Sequence, residues 1–589
     1  MSEPAGGNVA NESEQSGRSA EAAVRHDRRL ALVAGLAAVT AAACQPLRPA
    51  IGAPRRGSGS TTPTTVRPTT TTTVRPTTTT STTTTTVRPT TTTTSTTTTT
   101  VPPTTTTVPV PPAVAVPADP RHVARRLTFG ATPALVAEVE QLGSAKWIDR
   151  QLALAPGVDA ALDAQLAFMY PYSRRSAADI ALSAEPWRIA YELPAATVVR
   201  SVCAQRQVFE RVVGFFWDHF SVDVTNDRCQ FQCADYDEQV IRANAFGRFE
   251  TLLLGVAKSG AMLQYLDQAT SQARGGRIPN ENFARELMEL HTVGSDAGYS
   301  EADVTAVAYL LSGWALPHPH ASFTFMPGLH WLGPFVDARR SVLGWTRGAL
   351  TGLAAGESFI RHLAHHPATA RRLAHGLAVR FIGEHVTQSD LVVRQAAAAY
   401  LDNDTAIVPM LRVLLTSQAF ADSSRRRVRR PSELLAAMVR ATSGTTWRIA
   451  DPTEAERSKW QIAGLLTPLA NRPHSWPDPN GYPDADESWV GVGALIARWN
   501  MGTAMAVGAV PGFPVEPLEL VSWSAGPTLG DWLTAAANRC DVALDPASRT
   551  RYLSNVGRRS SDPLPGISEP WVYHRLLAML LQTPDVQVH

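Results

Sequence analysis

Charge is scarce in this chain of 589 residues: 18% are Asp, Glu, Lys or Arg, and 54 basic against 52 acidic residues leave a formal net charge of +2. So small an imbalance gives no general attraction to nucleic acid or to an anionic membrane, and no nucleic-acid partner is expected. Cysteine is nearly as sparse, at five. The sequence contains no Gly-rich phosphate loop, no Gly-x-Ser-x-Gly elbow and no His-Glu-x-x-His motif, so the common kinase, hydrolase and zincin readings lose their main support. Alternating, strand-like runs are few. Hydrophobic residues, at 44%, are plentiful enough for a packed core over most of the length.

The first 118 residues lie outside that core. Residues 1–44 read as an export signal: "RHDRRLALVAGLAAVTAAAC" sets the basic pair Arg28 and Arg29 before an apolar run of signal-peptide length, too short for a stable membrane span. Ala41, Ala42 and Ala43 before Cys44 resemble a lipobox, in which the cysteine is lipidated and anchors the mature protein to the membrane. Ala41 stands where a leucine is usual, and an ordinary secretory signal is the alternative. Residues 45–118 form a Thr/Pro-rich stalk with "VRP" at 66, 74 and 87. Such a composition buries nothing and cannot offset its ordering entropy, so it is expected to be disordered. Extended from Thr61 to Ala118 it would reach on the order of 180 Å, at about 3.1 Å per residue. A lipid-anchored, extracytoplasmic protein of the cell envelope is the expectation.

From 119 to 589 apolar residues recur at three- and four-residue spacing, as in "ALVAEVEQLGSAKWIDRQL", which predicts a mostly α, multi-helical domain. Thr132 before Pro133 marks a helix start, and Asn403 with Asp404 separates two helices. The Gly-, Pro- and Trp-rich stretches 317–350 and 470–490 are expected as long ordered loops. Cys203, Cys229, Cys233 and Cys540 make an even number, which outside the cytoplasm favours two disulfides, with three connectivities open. A metal site on "CQFQC" is the alternative, without a second cysteine pair or a nearby histidine to support it.

"NENFARELMELHTVG", 280–294, holds the densest set of candidate site residues. Projected at 100° per residue, Glu281, Asn282, Arg285, Glu286 and Glu289 share one arc, while Phe283, Ala284, Leu287, Met288 and Leu290 share the other. On the bland reading Arg285 laces Glu281 and Glu289 on an exposed face. On the functional reading Glu286 and Glu289 are paired carboxylates with Arg285 between them, fit for acid–base work or for holding a divalent metal. His291 projects into the apolar arc, and in "RVVGFFWDHF" His219 does the same. An inward histidine is satisfied by a backbone carbonyl or works as half of a metal or acid–base pair. The basic run "RRRVRRP", 425–431, reads as a solvated loop or a phosphate contact, and "DPNGYPDADE", 478–487, weakly suggests a cation loop.

Six motifs, "RRLTFGATPA", "FFWDHFSV", "NENFARELMELHTVG", "LSGWAL", "HHPATARRLAHGLAVRFIG" and "GYPDADESWVGVGALIARWN", stand in an order that resembles the bacterial family called domain of unknown function 1800, over about 119–589. That resemblance implies no established activity. It implies a partner, a sulfatase-like protein encoded beside many members. His330 is followed here by Trp331 where the family tends to have aspartate, which leaves any role of that pair in doubt. The reading favoured is a site built on His219, Arg285, Glu286, Glu289 and His291 that acts on or binds an extracellular polymer. The alternative is a non-catalytic assembly or adhesion module built on the same motifs.

Overall fold

The computed structural model describes residues 113–589, apart from 333–336, 338, 426, 522–525 and 567. Cys44, the export signal and nearly all of the stalk therefore lie outside the described residues. Within them the fold is the mostly helical one expected, with 24 α-helices and two two-stranded hairpins as the only sheets. No single described helix is long and apolar enough to cross a membrane.

Local chemistry sets the helix ends. Asp119 caps the first helix, α1 (Pro120–Leu127), by accepting from the His122 N–H at 2.8 Å. Thr132 caps the next, with Pro133 at its first position, as the sequence predicts. The periodic run that follows is split at Gly143, whose φ of 78° starts a second helix. Asp404 and Thr405, with φ of 53° and 64°, turn the chain between Leu391–Asp402 and Ile407–Leu415.

The helices that position the candidate residues are α2 (Ile189–Cys203), α3 (Gln207–His219), α4 (Asn282–Glu289), α5 (Pro367–Phe381), α6 (Pro431–Thr442), α7 (Pro452–Leu466) and α8 (Val492–Ala506). Two apolar cores hold them. The first gathers α3, α4 and α5 around Phe216, Phe220, Phe249, Phe283 and Leu377. The second gathers α2, α6, α7 and α8 around Val199, Leu434, Met438, Ile462 and Met505.

A buried ionic knot joins elements from both cores. Asp218, near the end of α3, accepts from Arg380 of α5 at 2.6 Å and from Arg430, which caps α6. Both arginines also reach Asp484, each at 2.7 Å. Arg427 binds Asp486 at 2.9 Å. This corrects two expectations. Arg427, Arg429 and Arg430 of the basic run are buried rather than solvated, and Asp484 and Asp486 of the acidic loop are neutralised by arginine rather than free for a cation. Sequence spacing hides the pairing because the partners lie 54 and 59 residues apart. Gly481, at φ +70°, is needed where the loop meets the knot: a Cβ there would sit 2.0 Å from the Asp218 carbonyl oxygen.

Burial raises the Asp484 carboxyl, but Arg380, Arg430 and Arg427 outweigh it and hold the pKa at about 2. The folded value lies below the unfolded one, about 3.9, so this carboxylate's stabilisation is complete above pH 4 and lost as pH falls toward 2. Asp484→Asn removes one of the two carboxylates that the buried Arg380 and Arg430 guanidinium groups share and should cost about 3–5 kcal/mol in denaturant unfolding. A loss below about 1 kcal/mol would show that the knot is not holding the loop.

Candidate functional site

Helix α4 is amphipathic as projected. Phe283, Ala284, Leu287 and Met288 are buried, and Arg285, Glu286 and Glu289 are half-exposed. Arg285 takes the lacing role: it meets Glu281 at 3.4 Å, Glu289 at 3.6 Å and the exposed Glu301 at 2.7 Å. Exposed pairs of this kind contribute little each. Glu286 differs, because burial raises its carboxyl above the ordinary range, Glu289 adds to the rise and Arg285 opposes it.

His291 is not on this helix. The helix ends at Glu289, and the chain turns with the Leu290 and His291 N–H groups both donating to the Glu286 carbonyl, at 2.9 and 3.0 Å. A straight projection therefore misplaces His291, although the turn still buries it, at 1% exposure. His219, the last residue of α3, meets it: its Nε2–H donates to the His291 carbonyl oxygen at 3.0 Å, and the rings lie 6.5 Å apart. His219 thus has the backbone partner of the bland reading. His291 has none, since Nδ1 and Nε2 are both buried without a hydrogen-bond partner in the protein. Burial lowers His219 to about 4, with Arg372 adding to the fall and the His291 carbonyl opposing it. Burial, His219 and Arg372 together lower His291 to about 3.

Arg372 of α5 is the residue the sequence reading missed. Its charge acts on both histidines, and Asp296, Tyr299 and Glu289 act on it, while burial pulls the guanidinium below its ordinary value. A Cβ on Gly294, where φ is +90°, would lie 2.9 Å from Asp296 Oδ1 and 3.1 Å from Arg372 Nη1, so the absent side chain leaves room for both groups. The available signal was the motif "HHPATARRLAHG", which carries Arg372 but does not say which arginine turns inward. The candidates therefore fall into two sets: His219 with His291 inside, and Arg285, Glu286 and Glu289 toward solvent. Arg372 acts on both histidines, and Glu289 of the outer set acts on it. A shallow pocket lined by Ala306, Val307, Leu310, Arg340, Val342 and Trp345 includes none of these residues.

Among the described residues one trio could hold a metal ion. Ligand atoms of Glu250, His365 and Asp404 lie within 4.8 Å of one another, but Arg248 reaches Asp404 at 2.7 Å and Arg361 reaches Glu250 at 3.4 Å. Those guanidinium groups already supply the balancing charge, and no candidate from α3 or α4 is in the trio. His330 is a docking residue, its Nδ1–H donating to the Ser312 carbonyl at 2.8 Å, while Trp331 beside it is exposed. The structure holds all four cysteines of the domain as free thiols rather than as two disulfides.

Sequence reasoning also passed over an exposed aromatic cluster. Trp187, Tyr191 and Trp460 come from the segment before α2, from α2 and from α7, with ring centroids 6.1, 6.2 and 4.4 Å apart. The two tryptophans are 41% and 42% exposed. A charged layer fixes them from below: Glu192 and Lys459, both buried, lie 3.4 Å apart, and Arg188 binds Glu192 at 2.9 Å and Glu456 at 2.6 Å. Trp460 donates its indole N–H to Glu456 at 2.8 Å, and the Arg472 guanidinium lies 4.9 Å from the Tyr191 ring. Trp460 stands far in sequence from Trp187 and Tyr191, so no local pattern announces the cluster.

Compared with known proteins, residues 122–588 match the model of the family described as "Protein of unknown function (DUF1800)". No curated protein and no solved structure shows significant similarity to the chain.

The lowered histidine values carry a pH signature. Ordinary imidazole titrates near 6.5, so between that pH and the folded values the unfolded chain binds more protons than the folded one. Stability is full above about pH 6.5 and falls as pH drops toward 4 and 3. Melting curves from pH 7.5 to 4.5 should show this decline, and His291→Asn should flatten it. An unchanged slope in the variant would mean that His291 titrates normally.

Proposed function

We propose, for a chain that belongs to the DUF1800 family of proteins of unknown function, that it is exported, tethered to the envelope by a lipid on Cys44, and that its helical domain binds an extracellular polymer. The observation that carries the binding reading is the Trp187, Tyr191 and Trp460 cluster: apolar ring faces open to solvent, held by the buried Glu192 and Lys459 and the half-buried Arg188. Fixed rings spend no side-chain entropy on binding, and flat faces beside charged groups suit the alternating C–H and hydroxyl surface of a polysaccharide. A polymer of the cell wall is the ligand class that the tether would bring within reach.

Trp187→Ala and Trp460→Ala should each weaken co-sedimentation with purified cell-wall polysaccharide on the order of tenfold, with the melting temperature little changed. Wild-type binding by the double variant overturns the reading. Cys44→Ser should move the protein from the membrane fraction to the medium, and a wild type already soluble there would remove the lipid tether from the proposal.

A second reading, an acid–base or metal site that acts on the polymer, is favoured by His291 alone, a buried imidazole with two unpartnered nitrogens beside His219. In this reading Glu286, its carboxyl raised by burial, is the proton donor, and Arg372 holds the charge between the two sets. His219→Ala and His291→Ala should then be coupled by about 0.5–3 kcal/mol in a double-mutant cycle of stability. Strict additivity leaves the binding module alone.

A further inference from the structure

Cys229 and Cys233 lie one turn apart where the loop after α3 becomes helical. Residues Gln230–Gln232 form a 3₁₀ turn whose Gln232 N–H donates to the Cys229 carbonyl at 2.9 Å, and a helix begins at Cys233. Neither cysteine has any solvent exposure. The Cys233 thiol donates to the Cys229 carbonyl at 3.4 Å, and the two side chains are within hydrogen-bonding reach of each other. Cys229 Sγ also lies 3.5 Å from the Asp223 carbonyl and 3.7 Å from that of Asn226. Cys203 sits instead beside Arg440 and the Trp447 backbone, and Cys540 beside Arg539 and Asp541, with no second thiol acting on either.

We propose that Cys229 and Cys233 are joined as a disulfide in the mature protein, while Cys203 and Cys540 stay as thiols. The cross-link would close the turn 229–233 at the end of the segment that leaves His219, a segment also tied by the Val224 N–H to the His474 carbonyl at 2.8 Å, the Tyr236 hydroxyl to the Phe220 carbonyl at 2.8 Å and Arg228 to Asp267 at 2.5 Å. The proposal rests on export only for the oxidant it meets. The oxidant is a disulfide, from a small molecule or an exchange protein. One cysteine thiolate attacks it, one of its sulfurs leaves as a thiol, and the second cysteine displaces the other. Two protons and two electrons pass from the pair to the oxidant, which ends as two thiols. Burial keeps the folded pair out of reach of any such partner, so exchange takes place before the turn packs.

The test uses the full chain, alkylated under denaturing conditions without reductant and digested with trypsin. The peptide 229–242 should be unlabelled and lighter than its reduced form by two hydrogens, while the peptides carrying Cys203 and Cys540 should be labelled. A second sample, reduced, unfolded and refolded in a glutathione buffer, should form the same link, and that arm does not depend on export. Its melting temperature should exceed that of the reduced protein, and Cys229→Ser with Cys233→Ser should abolish the difference between oxidising and reducing buffer. Labelled Cys229 and Cys233 in the refolded sample overturn the proposal. A link in that sample but not in the cellular one overturns it for the mature protein, and fractionation of the same cells shows separately whether the chain was exported.

Discussion

The arrangement of Asp218 with Arg380, Arg430 and Asp484 is the constraint on which the rest of the domain depends. Charges of this kind are tolerated away from water only when their partners are all present. One carboxylate lies in the last turn of α3, one guanidinium lies in α5, another precedes α6, and the last carboxylate lies in the loop ahead of α8. Each group is a liability alone and satisfied only when four distant segments have met. The knot therefore acts as a check on assembly. It also places His219, the next residue after Asp218, because the end of α3 cannot shift without breaking the pair.

Helix identity was legible in the sequence wherever one face alone had to be buried. Residues 282–289 split into apolar and polar arcs because a period of 3.6 lets one stripe meet the core. The cap at Thr132 was legible for a similar reason, since it satisfies an N–H group only three residues away. What could not be read was anything set by long-range pairing. "RRRVRRP" looks like solvent-facing charge until Asp218 and Asp484 are placed beside Arg430, and no local pattern contains that fact. His291 shows a subtler failure: its inward position follows from the turn after Glu289 and not from the helical projection that suggested it.

The candidate site was half legible. The sequence named both histidines and the carboxylates of α4, and the fold does bring His219 and His291 together. It also leaves Glu286 and Glu289 half-exposed while both histidines feel a charge, Arg372, that sequence spacing could not choose over Arg371. The aromatic cluster was illegible for the opposite reason: Trp187 and Tyr191 on a helix surface are unremarkable until the distant Trp460 joins them on one ionic layer.

The hydrogen bond from His219 to the His291 carbonyl fixes which tautomer of His219 the folded protein holds. Nε2 must carry the proton, and at neutral pH the ring has only one, so Nδ1 presents a bare lone pair. That edge of the ring is an electron-pair donor and not a proton donor. A hydroxyl, an ammonium group or a metal cation can bind there, whereas a carboxylate or phosphate oxygen would meet lone pair against lone pair. The backbone of one histidine has thus selected the chemistry of the other.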